Sequence, residues 1–442
     1  MFSRLGAWMF VVTFVVSLGA ADESQSPPTA AAPDQWAQFR GPRRDGKSSD
    51  KGLLKQWPAD GPKLLWAKSG LGKGYASVSI SGGIIYTTGN IDDHTVITAI
   101  KSGGEIVWQA KNGPVTNRSY AGSRGTPTVD LGKVYHLGPD GAAICLNAET
   151  GKEIWATNVL KQFKGENCTW GLSESLLVDG KNVIFAVGGK QTSIVALDKN
   201  TGQTVWTSRS VGDKPGYASP IVIEYGGLRQ IVTAMSQSIV SVAADTGKLL
   251  WRSEHRVLLD ENIMTPVYHD GHVFVSGPKR GGTLLKLKVT GRKCSVSTAW
   301  RNPKLDNTHG GVVLVDGYLF GHSSKGSRLT CVDFKTGKTM YSVSHDAAGA
   351  KTAALTWADG MLYVQSDSKR IYLAKPSPEG FKPVSSFKIL PGGSGPLWAH
   401  PVVFGGRLYV RHGKILLVYD VRDKLPKAHL STVRQELLAF GG

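Results

Sequence analysis

Two acid–amide pairs are the residues of this chain whose types and spacing could hold a metal ion. Glu166 is followed by Asn167, and Glu261 is followed by Asn262. Carboxylate and amide oxygens are the ligands that Ca²⁺ prefers, although the same residue types also cap loops and turns. Either use requires that the folded chain bring several oxygen atoms to one point.

Four further residues could bind an anion or exchange a proton. Arg118 and Arg124 could donate paired hydrogen bonds to carboxylates of a ligand. His309 and His400 stand apart from other metal-ligating residue types in the sequence, which favours a structural or solvated histidine over a metal ligand. No G-x-S-x-G, H-E-x-x-H, P-loop or dinucleotide motif accompanies them.

The elements that must position these residues repeat along the chain. The motif AETGKEIW, which ends at Trp155, returns with small changes before Trp206, Trp251 and Tyr341. Its Thr-Gly step predicts a tight turn in which Gly151 takes a positive φ. We therefore assign the motif a structural role: it leads into an outer strand that ends in a buried aromatic residue.

Eight such units follow one another, each with short β segments around an apolar third strand. The aromatic residues that end the fourth segments are Trp108, Trp155, Trp206, Trp251, Trp300, Tyr341 and Phe387. The eighth unit lacks a fourth segment after Asp420, whereas residues 62–69, PKLLWAKS, form a fourth segment without partners. Because an open array would leave unpaired strand edges at both ends, the N-terminal segment should fill the vacancy. The sequence predicts an all-β, eight-bladed β-propeller of four-stranded blades, closed by an N-terminal strand that completes the last blade.

The loops that connect an outer strand to the next inner strand gather at one end of the channel of a propeller. Residues just before each inner strand should therefore line the channel mouth, where aromatic, cationic and amide groups could bind a small molecule or peptide. The expected ligand-binding residues are Tyr75, Arg118, Arg124, Glu166, Asn167, Trp170, Tyr217, Glu261, Asn262, His309, Lys351, Trp398 and His400, with Tyr120 nearby. No catalytic residue is assigned among them.

The chain divides into four parts by composition. Residues 1–21 carry a basic residue, an apolar run and small residues, as a secretory signal peptide does. Residues 22–35 form a Pro/Ala/Ser linker, residues 36–422 the propeller and residues 423–442 a C-terminal tail. We therefore expect an exported protein, periplasmic or extracellular, with no transmembrane span once the signal is removed.

Charge and cysteine content limit the partners. The formal net charge of +18 should attract anionic partners in a salt-dependent way, but the basic residues are scattered, so we expect no specific nucleic-acid partner. The four cysteines lie far apart, which excludes C-x-x-C metal or redox motifs, haem attachment and a disulfide between adjacent cysteines. Cys145 and Cys331 lie in apolar segments and should be inert buried thiols. We expect a monomer.

The repeat resembles that of a known family. ALDKNTGQTVW, at residues 196–206, resembles the tryptophan-docking repeat of PQQ-like β-propellers, which include PQQ-dependent alcohol dehydrogenases and BamB-like scaffold proteins of outer-membrane assembly. WAQFRGPRRDG, at residues 36–46, resembles the N-terminal signature of exported PQQ-like repeat proteins. The resemblance covers residues 36–422 and implies the fold more specifically than the activity.

The two branches of the family imply different functions. Resemblance to the dehydrogenases implies a quinone over the channel mouth, a calcium ion held by Glu, Asn and Asp, and an Asp base. The chain is shorter than those enzymes and lacks their adjacent-cysteine disulfide and a haem motif. Resemblance to BamB implies a lipoprotein, but no cysteine lies near the predicted signal cleavage site.

Three functional hypotheses follow. The first is an exported, non-catalytic binding or scaffold module for a protein, a peptide or a cell-envelope polymer, anionic polymers included, with no cofactor. The second is an alcohol or sugar dehydrogenase that depends on PQQ and calcium. The third is a lyase or hydrolase that uses carboxylates and histidines of the channel mouth.

Overall fold

The computed structural model describes residues 35–116, 119–344 and 351–423. The predicted signal peptide, almost all of the linker, Arg118 and the predicted tail beyond residue 423 lie outside these residues. Within them the chain forms eight sheets of four antiparallel strands, one of which gains a fifth, parallel strand. The predicted all-β, eight-bladed propeller is confirmed.

The first two strands, β1 (Lys47–Ser48) and β2 (Lys63–Lys68), precede the first complete blade. Blade 1 consists of β3 (Ser79–Ser81), β4 (Ile84–Ile91), β5 (His94–Lys101) and β6 (Ile106–Pro114). Blade 2 consists of β7 (Thr128–Asp130), β8 (Lys133–Leu137), β9 (Ala142–Asn147) and β10 (Glu153–Asn158), followed by the short helix α1 (Val159–Gln162). Blade 3 consists of β11 (Leu177–Asp179), β12 (Asn182–Ala186), β13 (Ile194–Asp198) and β14 (Thr204–Thr207). Blade 4 consists of β15 (Ile221–Tyr225), β16 (Leu228–Ala234), β17 (Ser238–Ala243) and β18 (Leu249–Glu254).

A 3₁₀ turn (Leu258–Asp260) leads into the second half of the ring. Blade 5 consists of β19 (Val267–His269), β20 (His272–Gly277), β21 (Gly281–Thr290) and β22 (Lys293–Asn302). Blade 6 consists of β23 (Val312–Val315), β24 (Tyr318–Ser323), β25 (Arg328–Asp333) and β26 (Thr339–Ser344). Blade 7 consists of β27 (Ala353–Ala358), β28 (Met361–Ser366), β29 (Arg370–Ala374) and β30 (Pro383–Lys388). Blade 8 consists of β31 (Val402–Phe404), β32 (Arg407–His412) and β33 (Ile415–Asp420), with β2 as its outer strand.

The ring closes where the sequence predicts. β2 pairs antiparallel with β33, with Lys63 opposite Asp420 and Lys68 opposite Leu416. The first ordered outer strand therefore completes the last blade and removes both free edges.

The apolar cores lie between neighbouring blades. Ile184 and Ala196 of blade 3 pack in one buried cluster with Ile231 and Val240 of blade 4. Every residue of β17 is buried, as expected for a strand covered on both faces.

The repeated motif docks one blade on the next. The indole of Trp108 in blade 1 lies against Gly151 in the Thr-Gly turn of blade 2, where Gly151 has φ +70° and an added Cβ would lie 2.6 Å from the indole Cδ2. The indole Nε1 also donates a hydrogen bond to the Ala148 carbonyl, at 3.0 Å. The same indole–glycine contact recurs in the pairs Trp155–Gly202, Trp206–Gly247, Trp300–Gly337 and Trp66–Gly104.

The position of these aromatics in the strand differs from the prediction. Trp155 and Trp251 are the third of six residues in β10 and β18, so they do not end the outer strand. The pairing shifts just before each of them, between Glu153 and Trp155 in β10 and between Leu249 and Trp251 in β18. This bulge reorients the indole toward the next blade, after which the strand resumes its pairing.

The N-terminal segment before β2 crosses the ring from blade 1 to blade 7. Trp36 exchanges two backbone hydrogen bonds with Ile80 of blade 1, at 3.0 and 2.8 Å, and β1 pairs in parallel with β27 of blade 7. We call residues 36–48 the N-terminal plug. The sequence did not predict this crossing.

In the described part of the chain, no helix has the length and apolar character needed to cross a membrane.

Candidate functional site

Two arginines of the N-terminal plug reach into the channel and bond to its walls. Arg40 donates to the Val312 carbonyl of blade 6 at 2.6 Å and to the plug carbonyl of Asp45 at 3.2 Å. Arg44 donates to the Ser175 carbonyl next to blade 3 at 2.8 Å and to the Pro220 carbonyl next to blade 4 at 3.1 Å. The plug therefore ties separate blades together across the channel.

Burial controls the ionisation of this region. Both guanidiniums are buried, which lowers the pKa of Arg40 to about 10 and that of Arg44 to about 9, so both stay charged at neutral pH. Burial raises the pKa of the Glu174 carboxyl to about 8, and the Arg44 charge only partly offsets it. Sequence reasoning missed both arginines because nothing in their residue type distinguishes a buried arginine from the many on the surface.

A cavity of about 250 Å³ lies above the plug, and Phe39 and Arg40 form part of its lining. The other lining residues are Tyr75, Tyr120, Arg124, Trp170, Ser173, Ser175, Tyr217, Ser219, Glu261, Ile263, Met264, Thr265, His309, Gly311, Trp398 and His400. Blades 1 to 6 and 8 all contribute, because each supplies the residues that lead into its inner strand. The cavity is therefore at the channel mouth.

Aromatic rings form much of the cavity wall. The imidazole of His309 lies parallel to the Trp398 indole, with 4.2 Å between ring centroids and 10° between planes. Tyr75 and Tyr120 pack on the same indole at 5.1 and 5.0 Å, with their planes tilted. Trp170 and Tyr217 form a second pair at 6.0 Å. These rings offer flat apolar walls, and His309, Tyr75 and Tyr120 all contact the Trp398 ring.

Arg124 is one of the two arginines that line the cavity. It donates to the Trp170 carbonyl at 2.7 Å and to the Tyr120 carbonyl at 2.9 Å, and burial lowers its pKa. No carboxylate of the described residues lies within ion-pair distance of it. Its charge is therefore balanced by carbonyl dipoles alone.

Glu261 supplies the one carboxylate among the cavity-lining residues named above. It is partly buried, and burial raises its pKa. It too makes no ion pair with any cation of the described ranges. A ligand hydroxyl or amide could therefore donate to it.

Both cavity histidines are neutral at pH 7. Burial, followed by the Arg40 charge, lowers the pKa of His400 to about 3, and burial, followed by the Arg124 charge, lowers that of His309 to about 4. His400 Nε2 lies 2.8 Å from the His309 carbonyl, and its Nδ1 lies 3.4 Å from Arg40. This pattern requires the proton on Nε2, so that Nδ1 accepts from the guanidinium.

The structure brings together eight of the residues expected at the mouth: Tyr75, Arg124, Trp170, Tyr217, Glu261, His309, Trp398 and His400. Asn262 is instead buried outside the cavity, where its amide donates to the carbonyls of Met235, Ser236 and His255 at 2.9 to 3.1 Å. Asn262 holds its loop closed, because its side chain is buried against these carbonyls, whereas the neighbouring Glu261 lines the cavity. The role of all these residues in ligand binding stays a prediction.

Three more of the expected residues lie away from the cavity lining. The Asn167 amide donates to the Pro139 carbonyl at 2.9 Å, and Glu166 lies beside Gly189, with its backbone N–H on the Val187 carbonyl. Lys351 is exposed, and its backbone N–H donates to the Asp367 carboxylate at 2.8 Å. The contacts of these three residues serve to close loops and do not involve the cavity.

The residues at the mouth do not fit a calcium-held quinone. The side-chain amide of Asn262 already bonds to backbone carbonyls and to His255. Of the Glu261–Asn262 pair, Glu261 alone therefore has a side chain available to a metal ion. Across the described ranges, no three His, Cys, Asp or Glu side chains converge as metal ligands would.

One protein family matches most of the chain. Residues 48–194 and 92–343 match the family described as outer membrane protein assembly factor BamB. Among solved structures, BamB from Moraxella catarrhalis is similar with a TM-score of 0.56 and 17% identity, over 79% of this chain and 95% of that one. A quinohemoprotein alcohol dehydrogenase from Comamonas testosteroni is similar with a TM-score of 0.65 and 15% identity, over 90% and 82%. At these identities the structures share the fold.

Sequence relatives include quinoprotein dehydrogenases. The quinoprotein alcohol dehydrogenase PedH of Pseudomonas putida is 25% identical over 170 residues, which cover 36% of this chain and 27% of PedH. The lanthanide-dependent methanol dehydrogenase of Methylacidiphilum fumariolicum is 36% identical over 84 residues, 18% of this chain and 13% of that enzyme. The matches thus span about a quarter or less of those enzymes.

Proposed function

This chain belongs to the PQQ-like repeat family described as outer membrane protein assembly factor BamB, and from that premise we propose that it is an exported, non-catalytic binding or scaffold module. Its ligand is a group of a protein, a peptide or a cell-envelope polymer, and the channel-mouth cavity is where that group binds. The module acts without a cofactor.

One observation supports this function above the others: the cavity is walled by aromatic rings and holds one carboxylate. Acid–base hydrolysis or elimination uses a titratable acid and base with pKa values near the working pH, whereas His309 and His400 stay neutral down to about pH 4 and 3. Flat apolar walls with a few polar groups are typical of a recognition site.

Tyr120 offers a way to test the site with little risk to the fold. Its side chain is 56% exposed at the cavity rim, whereas Leu131, 81% exposed, lies in the β7–β8 turn at the opposite end of blade 2. Immobilised protein should retain a defined component of a cell-envelope extract, and Tyr120→Ala should reduce that retention at least fivefold. Leu131→Ala is the matched control and should retain as much as the wild type. Equal retention by all three proteins would contradict a binding site at the mouth.

The dehydrogenase hypothesis is tested on the same preparation. The protein is incubated with PQQ and CaCl₂, and quinone absorbance and dye-linked alcohol oxidation are followed. We expect no stoichiometric uptake, because the acid–amide pairs do not converge. Uptake of one quinone per chain with turnover would replace the binding module by a PQQ-dependent oxidoreductase.

A further inference from the structure

Two buried polar atoms of the cavity wall have no hydrogen-bond partner within the part of the chain that the structure describes. They are Thr265 Oγ1 and His309 Nδ1, in the segments that lead into blades 5 and 6. An unpaired buried polar atom is costly, so such atoms in a cavity wall indicate where a ligand forms hydrogen bonds.

The unpaired Thr265 hydroxyl interrupts a regular pattern around the channel. The backbone N–H of Ser77 donates to Thr126 Oγ1 at 3.0 Å, that of Thr126 to Ser175 Oγ at 2.9 Å, and that of Ser175 to Ser219 Oγ at 2.9 Å. Each hydroxyl thus links its blade to the preceding one. Thr265 occupies the next position in this series and lines the cavity, but its buried hydroxyl has no hydrogen-bond partner among the described residues.

The charge of the wall selects the sign of the ligand. Arg124 and Arg40 both line the cavity, against the single carboxylate of Glu261. An aromatic wall could also attract a cation, but the two guanidiniums would repel it. Arg124 has five N–H donors and makes three hydrogen bonds to the described residues, so it can donate further bonds to an anion.

The polar groups are distributed around the cavity, and the size limits what they can surround. Arg124 belongs to blade 2, Glu261 and Thr265 to blade 5 and His309 to blade 6, with aromatic rings between them. Sites for drug-sized ligands measure roughly 300 to 1,000 Å³, so a cavity of about 250 Å³ suits one ring. A ring with apolar faces, hydroxyls on its perimeter and one carboxylate matches this arrangement.

We propose, on the basis of the proposed binding function, that the cavity binds a sugar acid, a hexuronate ring of an acidic polysaccharide. Its carboxylate accepts from Arg124, its hydroxyls bond to Thr265, His309 and Glu261, and its faces lie along the aromatic walls. The net charge of +18 attracts the rest of the polymer to the surface. A peptide C-terminus fits less well, because its polar groups lie at one end.

Calorimetric titration of the full chain with trigalacturonate tests the proposal. The control ligand is its methyl ester, which keeps the rings and hydroxyls and removes the charge. Trigalacturonate should bind at least tenfold more tightly than the ester. Arg124→Gln should weaken trigalacturonate binding at least tenfold, and Thr265→Val about threefold, whereas Arg292→Gln should change it less than twofold. Arg292 is an exposed residue in the β21–β22 turn, where it pairs with Asp245. Its replacement by Gln removes the same charge as Arg124→Gln does.

Further measurements separate a specific effect from a loosened rim. Arg124 also holds the Tyr120 carbonyl, so Arg124→Lys, which keeps the charge, should retain the preference for the acid over the ester. Equal binding of acid and ester, or equal losses in Arg124→Gln and Arg292→Gln, would overturn the hexuronate assignment.

The proposed function can survive that result. A peptide with a free C-terminal carboxylate that binds in a Tyr120-dependent way would replace the sugar acid and leave the binding module intact. Failure of both ligands, together with Tyr120-independent retention of envelope components, would overturn both proposals.

Discussion

The outer ring and the channel mouth of this propeller are built on opposite principles. In the outer ring the same contact, an indole against a Thr-Gly turn, recurs from blade to blade. At the mouth, the cavity-lining residues two positions before Ser77, Thr126, Ser175, Ser219 and Thr265 are Tyr75, Arg124, Ser173, Tyr217 and Ile263, and no two adjacent ones are alike in chemistry. Repetition therefore marks the residues that hold the fold, and departure from repetition marks those available for recognition.

The largest effect is expected in the outer ring. Trp155 packs on Gly202, is 8% exposed and donates to the Lys199 carbonyl at 3.0 Å. Trp155→Ala should lower the free energy of unfolding by about 3 to 5 kcal/mol, because it leaves a cavity between two blades and removes the indole hydrogen bond. Denaturant unfolding followed by circular dichroism measures this. Ile154→Ala, at the exposed neighbour in the same strand, should change it by less than about 0.5 kcal/mol, and similar losses in both variants would refute the docking role.

The outer ring is also the part that the sequence predicts well. Each unit supplies a glycine at positive φ, which receives the indole of the preceding blade, and an aromatic residue, which docks on the next blade. The two lie at a fixed spacing in the sequence, as Gly151 and Trp155 do, so the same residue types recur from unit to unit. Closure by β2 follows from the same count, because strand edges must be paired. The bulge before Trp155 could not be predicted, since it depends on pairing with β9 and leaves no mark in residue type.

The second prediction tests whether the floor of the cavity belongs to the fold as firmly as the outer ring. Arg40→Met keeps a flexible, unbranched apolar stem but removes the guanidinium, which leaves the Val312 and Asp45 carbonyls without its hydrogen bonds. We expect a loss of about 2 kcal/mol, because removal of a buried charge offsets part of the cost of unpaired carbonyls. Amide exchange in residues 36–48 should also accelerate.

The control for this variant lies in the same plug. Arg43 is exposed, and its guanidinium pairs with the nearby Asp45 carboxylate. Arg43→Met should cost less than about 0.5 kcal/mol. If Arg40→Met were to cost equally little, the plug would not stabilise the ring, and its role as the structural floor of the cavity would be refuted.

The mouth shows where sequence reasoning stops. The rule that residues before inner strands line the channel places Tyr75, Tyr217 and Trp398 correctly at the mouth, because the position follows from the connectivity. It fails for Asn262, since which of two neighbours faces inward depends on hydrogen bonds to Met235 and His255. The rule does not apply to Arg40 and Arg44, because the N-terminal plug is not part of any repeat.

The smallest expected effect is on the pH dependence of the free energy of unfolding, which distinguishes the channel mouth from the outer ring. The folded-state pKa of His309 is lowered to about 4 from 6.5, so between these values the unfolded chain binds more protons at this residue. Stability therefore falls as the pH drops from about 6.5 to about 4 and levels off below, by at most ~1.4 kcal/mol per pH unit for one histidine. His136, His255 and His400, whose pKa values are lowered to about 3, 4 and 3, act in the same direction.

Because the raised pKa of Glu174, about 8, opposes this trend above pH 4.5, the difference between variants is the useful readout. His309→Gln should flatten the dependence of unfolding free energy on pH between 4 and 6.5 relative to the wild type. Stability is measured by urea unfolding at half-unit pH intervals. Identical pH profiles for His309→Gln and wild type would mean that His309 is hydrated and that the mouth is no drier than the surface.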